Sequence, residues 1–299
     1  MKIANTTVSY TIQDLAGYIN WIYFFHAWGF QPRFAAIADI AGCDTCQTRW
    51  AANFPQTDTA KATEAILLYN EAQRLLRHMD EKCKIQAIYR LMDANADSDD
   101  LLLDGIRFPL LRQQTRIHPN APFLCLSDFV RPLSQGIVDT VGAFATTVDN
   151  TFEKSYANDT YQHLLVQTLN ERLAEAAAEK LHETIRKEIW GYAKDEHLTH
   201  KQLLNGEYQG IRPAVGYPSL PDLSVTFLLN TLIDMNKIGI HLTENGMMRP
   251  HASVCGLMFA HPQSHYFSIG KIDEHQLADY ATRRGMDSNY LRKFLTANL

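Results

Sequence analysis

The segment Gly210-Ile-Arg-Pro-Ala-Val-Gly-Tyr-Pro218 concentrates more usable chemistry than any other stretch of the chain. Pro213 and Pro218 fix φ at about −65° and stiffen the backbone. Gly210 and Gly216 admit positive φ and let a ligand approach closely. Arg212 offers a planar fork that matches a carboxylate or a phosphate. Tyr217 adds a flat ring and a hydroxyl. A stiff loop carrying one arginine and one tyrosine suits a small anionic or zwitterionic ligand; an ordinary surface loop with a structural ion pair is the competing reading. Glu175 falls in the middle of a helical pattern. At about 100° per residue it lies within about 20° of Leu164 and Thr168, beside the apolar stripe. A half-buried carboxylate there needs a partner. That partner is either a cationic ligand or a salt bridge to Arg172 or Lys180.

Other constellations are weaker. Cys43-x-x-Cys46 has redox or zinc spacing, but no second Cys/His pair sits at ligand spacing, so two ordinary thiols are expected. His197/His200 and His261/His265 have metal-compatible spacing but lie in apparent loops beside Asp195 and Pro262, and no metal is expected. No phosphate-loop, G-x-S-x-G or G-x-G-x-x-G pattern occurs.

Several elements must position these groups. Thr6–Tyr10 is β-prone, and an aromatic-rich segment with imperfect helical periodicity runs from Tyr18 to Phe30. Residues 57–95 read as helix, with Ala62, Ala65, Ile66, Tyr69, Ala72, Leu75 and Leu76 at steps of three and four and Asp58 or Thr59 as cap. The runs 101–108, 122–129 and 137–148 read as strands bounded by Gly, Pro and Asp. Asp159–Trp190 reads as one long helix, capped by Asn158 or Asp159 and ended by Gly191, a rod of roughly 48 Å. A helix near Ser224–Ile238, strands at Ala252–Ala260 and Tyr266–Ile272, and helices at Asp273–Arg284 and Asp287–Leu295 complete the pattern. Strands and helices mix without a βαβ rhythm. The expected class is therefore α+β, with an antiparallel twisted sheet flanked by helices. One domain over 1–299 is expected, mostly helical over 1–95, with sheet, long helix and ligand loop over 96–299.

The 299 residues carry 46% hydrophobic and 20% charged residues, a globular balance able to bury a core without staples. The net charge of −5 argues against a nucleic-acid partner held by phosphate charge. Five cysteines make a disulfide framework improbable and point to a reducing, cytoplasmic compartment. The start MKIANTTVSYT lacks a secretory h-region, and no apolar run of about 18 residues exists to span a membrane.

The Gly210–Pro218 loop resembles the activation domain of cobalamin-dependent methionine synthase, which carries an Arg-x-x-x-Gly-Tyr signature in a GIRPAPGYP context. The resemblance extends in order along the chain: YINWIYFFHAW (18–28), LSDFV (126–130), VGAFATTV (141–148), ERLAEAAAEKLHETIRKEIWGYA (171–193), HASVCGLMFAHPQSHYFSIGKI (251–272) and LADYATRRGM (277–286). It is weaker over 100–125 and weakest over 31–90. Two segments, Asp195–His200 and Asp273–Ala278, approach the Asp-x-His-x-x-Gly signature that supplies a histidine to cobalamin, but both lack the glycine.

The resemblance implies an S-adenosylmethionine site and a methyltransferase role. The domain would present that ligand's methyl group for reductive methylation of cobalamin on a partner methionine synthase chain, with an electron from a flavodoxin or similar reductase. By the resemblance, Arg212 reads the ligand carboxylate. Ala214, Gly216 and Tyr217 line the adenosine and methionine, and Glu175 and Tyr266 lie near the ligand, with the Tyr266 ring beside the sulfonium. Three positions depart from the family's pattern. Asn20 stands where the family has aspartate, Gly206 where it has glutamate, and Phe267 where it has a second tyrosine. Glu207 is the expected substitute for the carboxylate absent at 206. The departures leave a second expectation open, a non-catalytic docking or regulatory module for a corrinoid methyltransferase. Arg283, Arg284, Arg292 and Lys293 form a basic cluster that could meet an acidic flavodoxin or simply be a solvated helix face.

Overall fold

The computed structural model describes residues 2–40, 42–80, 82–116 and 118–299. In chain order, β1 (Ile3–Tyr10) is followed by helices α1 (Ile12–Leu15), α2 (Trp21–Ala27), α3 (Asp44–Ala52) and α4 (Gln56–Met79). Strands β2 (Ile85–Asp97), β3 (Asp100–Leu103), β4 (Ile106–Pro109) and β5 (Asp139–Val148) come next. Helices α5 (Thr151–Lys154), α6 (Thr160–Thr184), α7 (His200–Leu204) and α8 (Val225–Ile233) precede the two-residue strands β6 (His241–Leu242) and β7 (Met248–Arg249). Strand β8 (Ser253–Met258) and helices α9 (Glu274–Arg284) and α10 (Ser288–Arg292) close the order.

The main sheet is antiparallel, in the order β4-β3-β2-β5-β8. Strand β1 also pairs with β2, along Ile85–Leu91, while β3 takes the Ala94–Asp97 end of the same edge. Alternation along the strands divides the side chains between two layers. Ala87, Tyr89, Leu91, Phe144 and Met258 pack with Ala178, Leu181 and Ile185 of the long helix and its extension. Ile88, Met92, Val141, Ala143, Ala145 and Leu257 pack on the other face with Val225, Leu229 and Leu232 of α8. The α+β antiparallel architecture with a long flanking helix is therefore as the sequence indicates.

The long helix is capped as expected. Asp159 accepts the Gln162 N–H at 3.1 Å, and a π-helical turn over Ile185–Ile189 carries the rod to Gly191. Elsewhere the structure corrects the expectations. The helix over 57–95 is a shorter α4 followed by β2, the longest strand. Neighbours bury β2 on both faces, so its two-residue alternation fades into a continuous apolar run. Helix α4 also starts earlier than Asp58 or Thr59 would allow, after Pro55, with Asp58 in its first turn. The 122–129 run is not a strand. Asp128 accepts the Cys125 N–H at 2.8 Å and folds Leu126–Phe129 into a 3-10 turn. The helix expected through Ile238 breaks at Asp234, which takes φ 48°. Tyr266–Ile272 joins no strand ladder. Its backbone instead donates from Phe267 to Ser219 Oγ (3.1 Å) and from Ile269 to the Pro218 carbonyl (2.9 Å). Those bonds seat it against the Arg212–Pro218 loop.

Candidate functional site

The loop rides on the sheet edge. Residues 211–215 pair with β8 in antiparallel fashion. Val215 donates to the Cys255 carbonyl (2.9 Å), Leu257 donates to the Pro213 carbonyl (3.1 Å), and Ile211 and Phe259 exchange bonds at 3.0 Å each. Two glycines permit this approach. A Cβ at Gly256 would lie 2.1 Å from the Pro213 oxygen. Gly210 takes φ 86°, and a Cβ there would lie 2.5 Å from the Phe259 oxygen. Past the paired stretch the chain turns back, with Gly216 N–H donating to the Leu220 carbonyl at 2.9 Å.

Between this loop, α6 and the start of α2 lies a cleft of about 740 Å³, within the usual range for a small-molecule site. Arg212, Ala214, Tyr217, Glu175, Tyr266, Phe267 and Asn20 all line it. Arg212 is buried, ion-paired to Glu179 through Nη2, and lies 5.5 Å over the Phe144 ring. Burial alone would lower its pKa; the Glu179 carboxylate, with Tyr266 and Glu175, more than offsets this and holds the guanidinium charged. Among the described residues its Nε has no acceptor although it is buried. An orphaned charged donor of this kind is costly unless something completes it.

Glu175 is half-buried and accepts the Tyr217 hydroxyl at 2.7 Å, so its partner is neither Arg172 nor Lys180. Burial first, and then the Glu175 charge, raises the Tyr217 pKa and keeps the phenol protonated. The Tyr266 hydroxyl accepts the Arg212 backbone N–H at 2.9 Å. Asn20 caps α2, its Oδ1 accepting from Ile22 (3.1 Å) and Tyr23 (3.3 Å). Phe267 is buried beneath the cleft, in contact with Phe129.

Two expected residues fall elsewhere. Glu207 is exposed, accepts the Asn205 side chain at 3.2 Å and is absent from the cleft wall, so it does not replace the carboxylate missing at Gly206. Gly216 shapes the turn without lining the cleft. Sequence reasoning also missed Glu179, Tyr208, Tyr18, Tyr23 and Arg172 on the wall. Glu179 had a signal: it lies one helical turn beyond Glu175, on the same face.

The other constellations resolve structurally. Cys43 caps α3, its sulfur accepting the Cys46 N–H at 3.2 Å, and all five cysteines are free thiols. His200 packs on the Tyr18 ring at 4.9 Å, and His261 and His265 pack on Phe129 at 6.1 and 5.8 Å. Among the described residues, no group of three His, Cys, Asp or Glu is placed to hold a metal. Asp273 caps α9, accepting the Gln276 N–H at 2.8 Å. The basic cluster is mostly neutralised: Arg283 pairs with Asp100 and Asp279, Arg284 with Asp222, and Arg292 with Glu274. Among the described residues, only Lys293 of the four lacks an ion-pair partner, so the cluster is not a free basic patch.

A family model described as vitamin B12 dependent methionine synthase, activation domain, matches residues 11–285. The chain belongs to that family. Its fold is also that of a crystal structure of the MetH reactivation domain bound to AdoHcy, with a TM-score of 0.85 and 32% identity over 100% of this chain and 91% of that one. The family match spans both walls of the cleft, from Asn20 on α2 to Phe267. Among the described residues, no helix is long and apolar enough to cross a membrane.

Proposed function

We propose that the chain binds S-adenosylmethionine in the Arg212 cleft and serves the reductive reactivation of a cobalamin carried by a methionine synthase partner, with a flavodoxin or similar reductase as electron donor. The observation that carries this reading is Arg212. It is a buried guanidinium on the cleft wall, held charged and aimed by Glu179, with Nε lacking an acceptor among the described residues. A ligand carboxylate is the group that such a donor suits. Glu175 offers a carboxylate to an ammonium, and the ring faces of Tyr217 and Tyr266 suit a sulfonium. Bound there, the ligand supplies an electrophilic methyl group that a reduced cobalamin can accept. The residues' own part is positioning: Arg212 fixes the acid end, and Ala214 and Phe267 exclude water from the floor. A reducing, cytoplasmic setting fits the five free cysteines.

Asn20 and Gly206 favour a second reading, a docking or regulatory module for a corrinoid protein with weakened ligand binding. Losing up to two carboxylates costs roughly 1–3 kcal/mol if they act through charged hydrogen bonds. Methylcobalamin formation separates the two. Mixed with a cobalamin-carrying methionine synthase and a reductant, the chain is expected to make methylcobalamin only when S-adenosylmethionine is present. Complex formation with no ligand-dependent methylation would favour the docking module instead.

A further inference from the structure

Helix α6 and its π-helical extension carry Glu175, Glu179, His182 and Arg186 at steps of four, three and four, along one face. The first two face the cleft. The last two lie behind it and are 0% exposed. Arg186 donates to both Glu196 oxygens, at 3.0 and 2.6 Å, and its guanidinium carbon lies 4.2 Å from the centre of the Tyr208 ring. His182 meets the same ring edge-on, with centroids 4.9 Å apart at 89°. Two fully buried groups therefore clamp the Tyr208 ring. Its hydroxyl sits 3.2 Å from that of Tyr266, which in turn accepts the Arg212 backbone N–H at 2.9 Å. Tyr266 is 49% exposed at the cleft rim, so little packing fixes its ring and these bonds must do so. A buried arginine pair is a weak source of net stability. Here it supplies a rigid seat.

We infer that Tyr208 is a positioning residue: seated on Arg186 and His182, its hydroxyl holds Tyr266 and, through it, the Arg212 backbone in the arrangement that reads the ligand. This rests on the S-adenosylmethionine reading above. Tyr208→Phe keeps the ring and both of its buried contacts and removes only the hydroxyl. Calorimetric titration with S-adenosylmethionine is expected to show about tenfold weaker binding, the size of one lost hydrogen bond, with the melting temperature lowered by no more than about 2–4 °C. Tyr266→Phe is expected to weaken binding similarly, and the double variant no further, because the two hydroxyls act as one unit. Wild-type affinity in Tyr208→Phe, or losses that simply add, would overturn the inference while leaving the binding reading intact. If the wild-type protein binds no S-adenosyl ligand, the binding reading fails. The relay is then judged by hydrogen exchange at the Arg212 amide: faster exchange in Tyr208→Phe supports it, and an unchanged rate overturns it.

Discussion

A guanidinium on the cleft wall and an imidazole behind it respond to burial in opposite ways. Arg212 keeps its charge because Glu179 offsets the desolvation. His182 has no carboxylate partner among the described residues. Burial, and then the charges of Arg186 and Arg212, drive its pKa well below 6.5, so it stays neutral. The sign of the linkage follows. The unfolded chain binds a proton near pH 6.5 and the folded chain does not, so stability is full above that value and falls as pH falls. The slope approaches about 1.4 kcal/mol per pH unit. Between pH 7.5 and 5.5, urea unfolding of the wild type should lose about 1.4 kcal/mol more than that of His182→Gln. Equal losses would show that His182 takes up its proton in the folded state. Arg212, Tyr217 and Glu175 were legible in the sequence because their types are unusual for their setting: an arginine among prolines, a carboxylate beside an apolar stripe. Glu179 carried only the weak signal of its spacing from Glu175, and Tyr208 carried none, because its role comes from what tertiary packing places opposite it.

Elements on the surface of the sheet were easier to read than the element at its centre. Amphipathic α6 declares itself by its period and its Asp159 cap. Strand β2 does not, since Ile85, Ala87, Ile88, Leu91 and Met92 are all buried and the alternation disappears. The loop's seat on β8 was also hidden, because edge pairing through single bridges leaves no mark in composition. Gly256 shows how tight that seat is. Gly256→Ala would force its Cβ against the Pro213 oxygen, backbone that cannot swing aside as a side chain would. Thermal unfolding of that variant should show a loss of about 1–3 kcal/mol, and S-adenosylmethionine affinity should fall with it as Arg212 is displaced. Wild-type stability and affinity would mean that the 211–215 segment is not held against β8 as described.

At the scale of the molecule, β2 and β5 contribute side chains to the packing on both faces of the sheet, and the cleft opens where α2, α6 and the edge loop converge. Its mouth carries exposed aromatic surface: Tyr23 at 61%, Tyr217 at 52% and Tyr266 at 49%. The global class was legible from the mixture of periods, and the family from motifs spread along the chain. The basic cluster near the end was misleading in isolation, since Asp100, Asp222, Asp279 and Glu274, which neutralise most of it, lie partly on distant segments. The account turns on whether a carboxylate completes the buried Arg212 fork. Calorimetric titration with S-adenosylmethionine and S-adenosylhomocysteine, on wild type and Arg212→Ala, tests it most directly. Saturable binding of both ligands by the wild type and a loss of at least about a hundredfold in the variant, near the upper end for a charged hydrogen bond, is the predicted result. Equal affinity in the two proteins would contradict it.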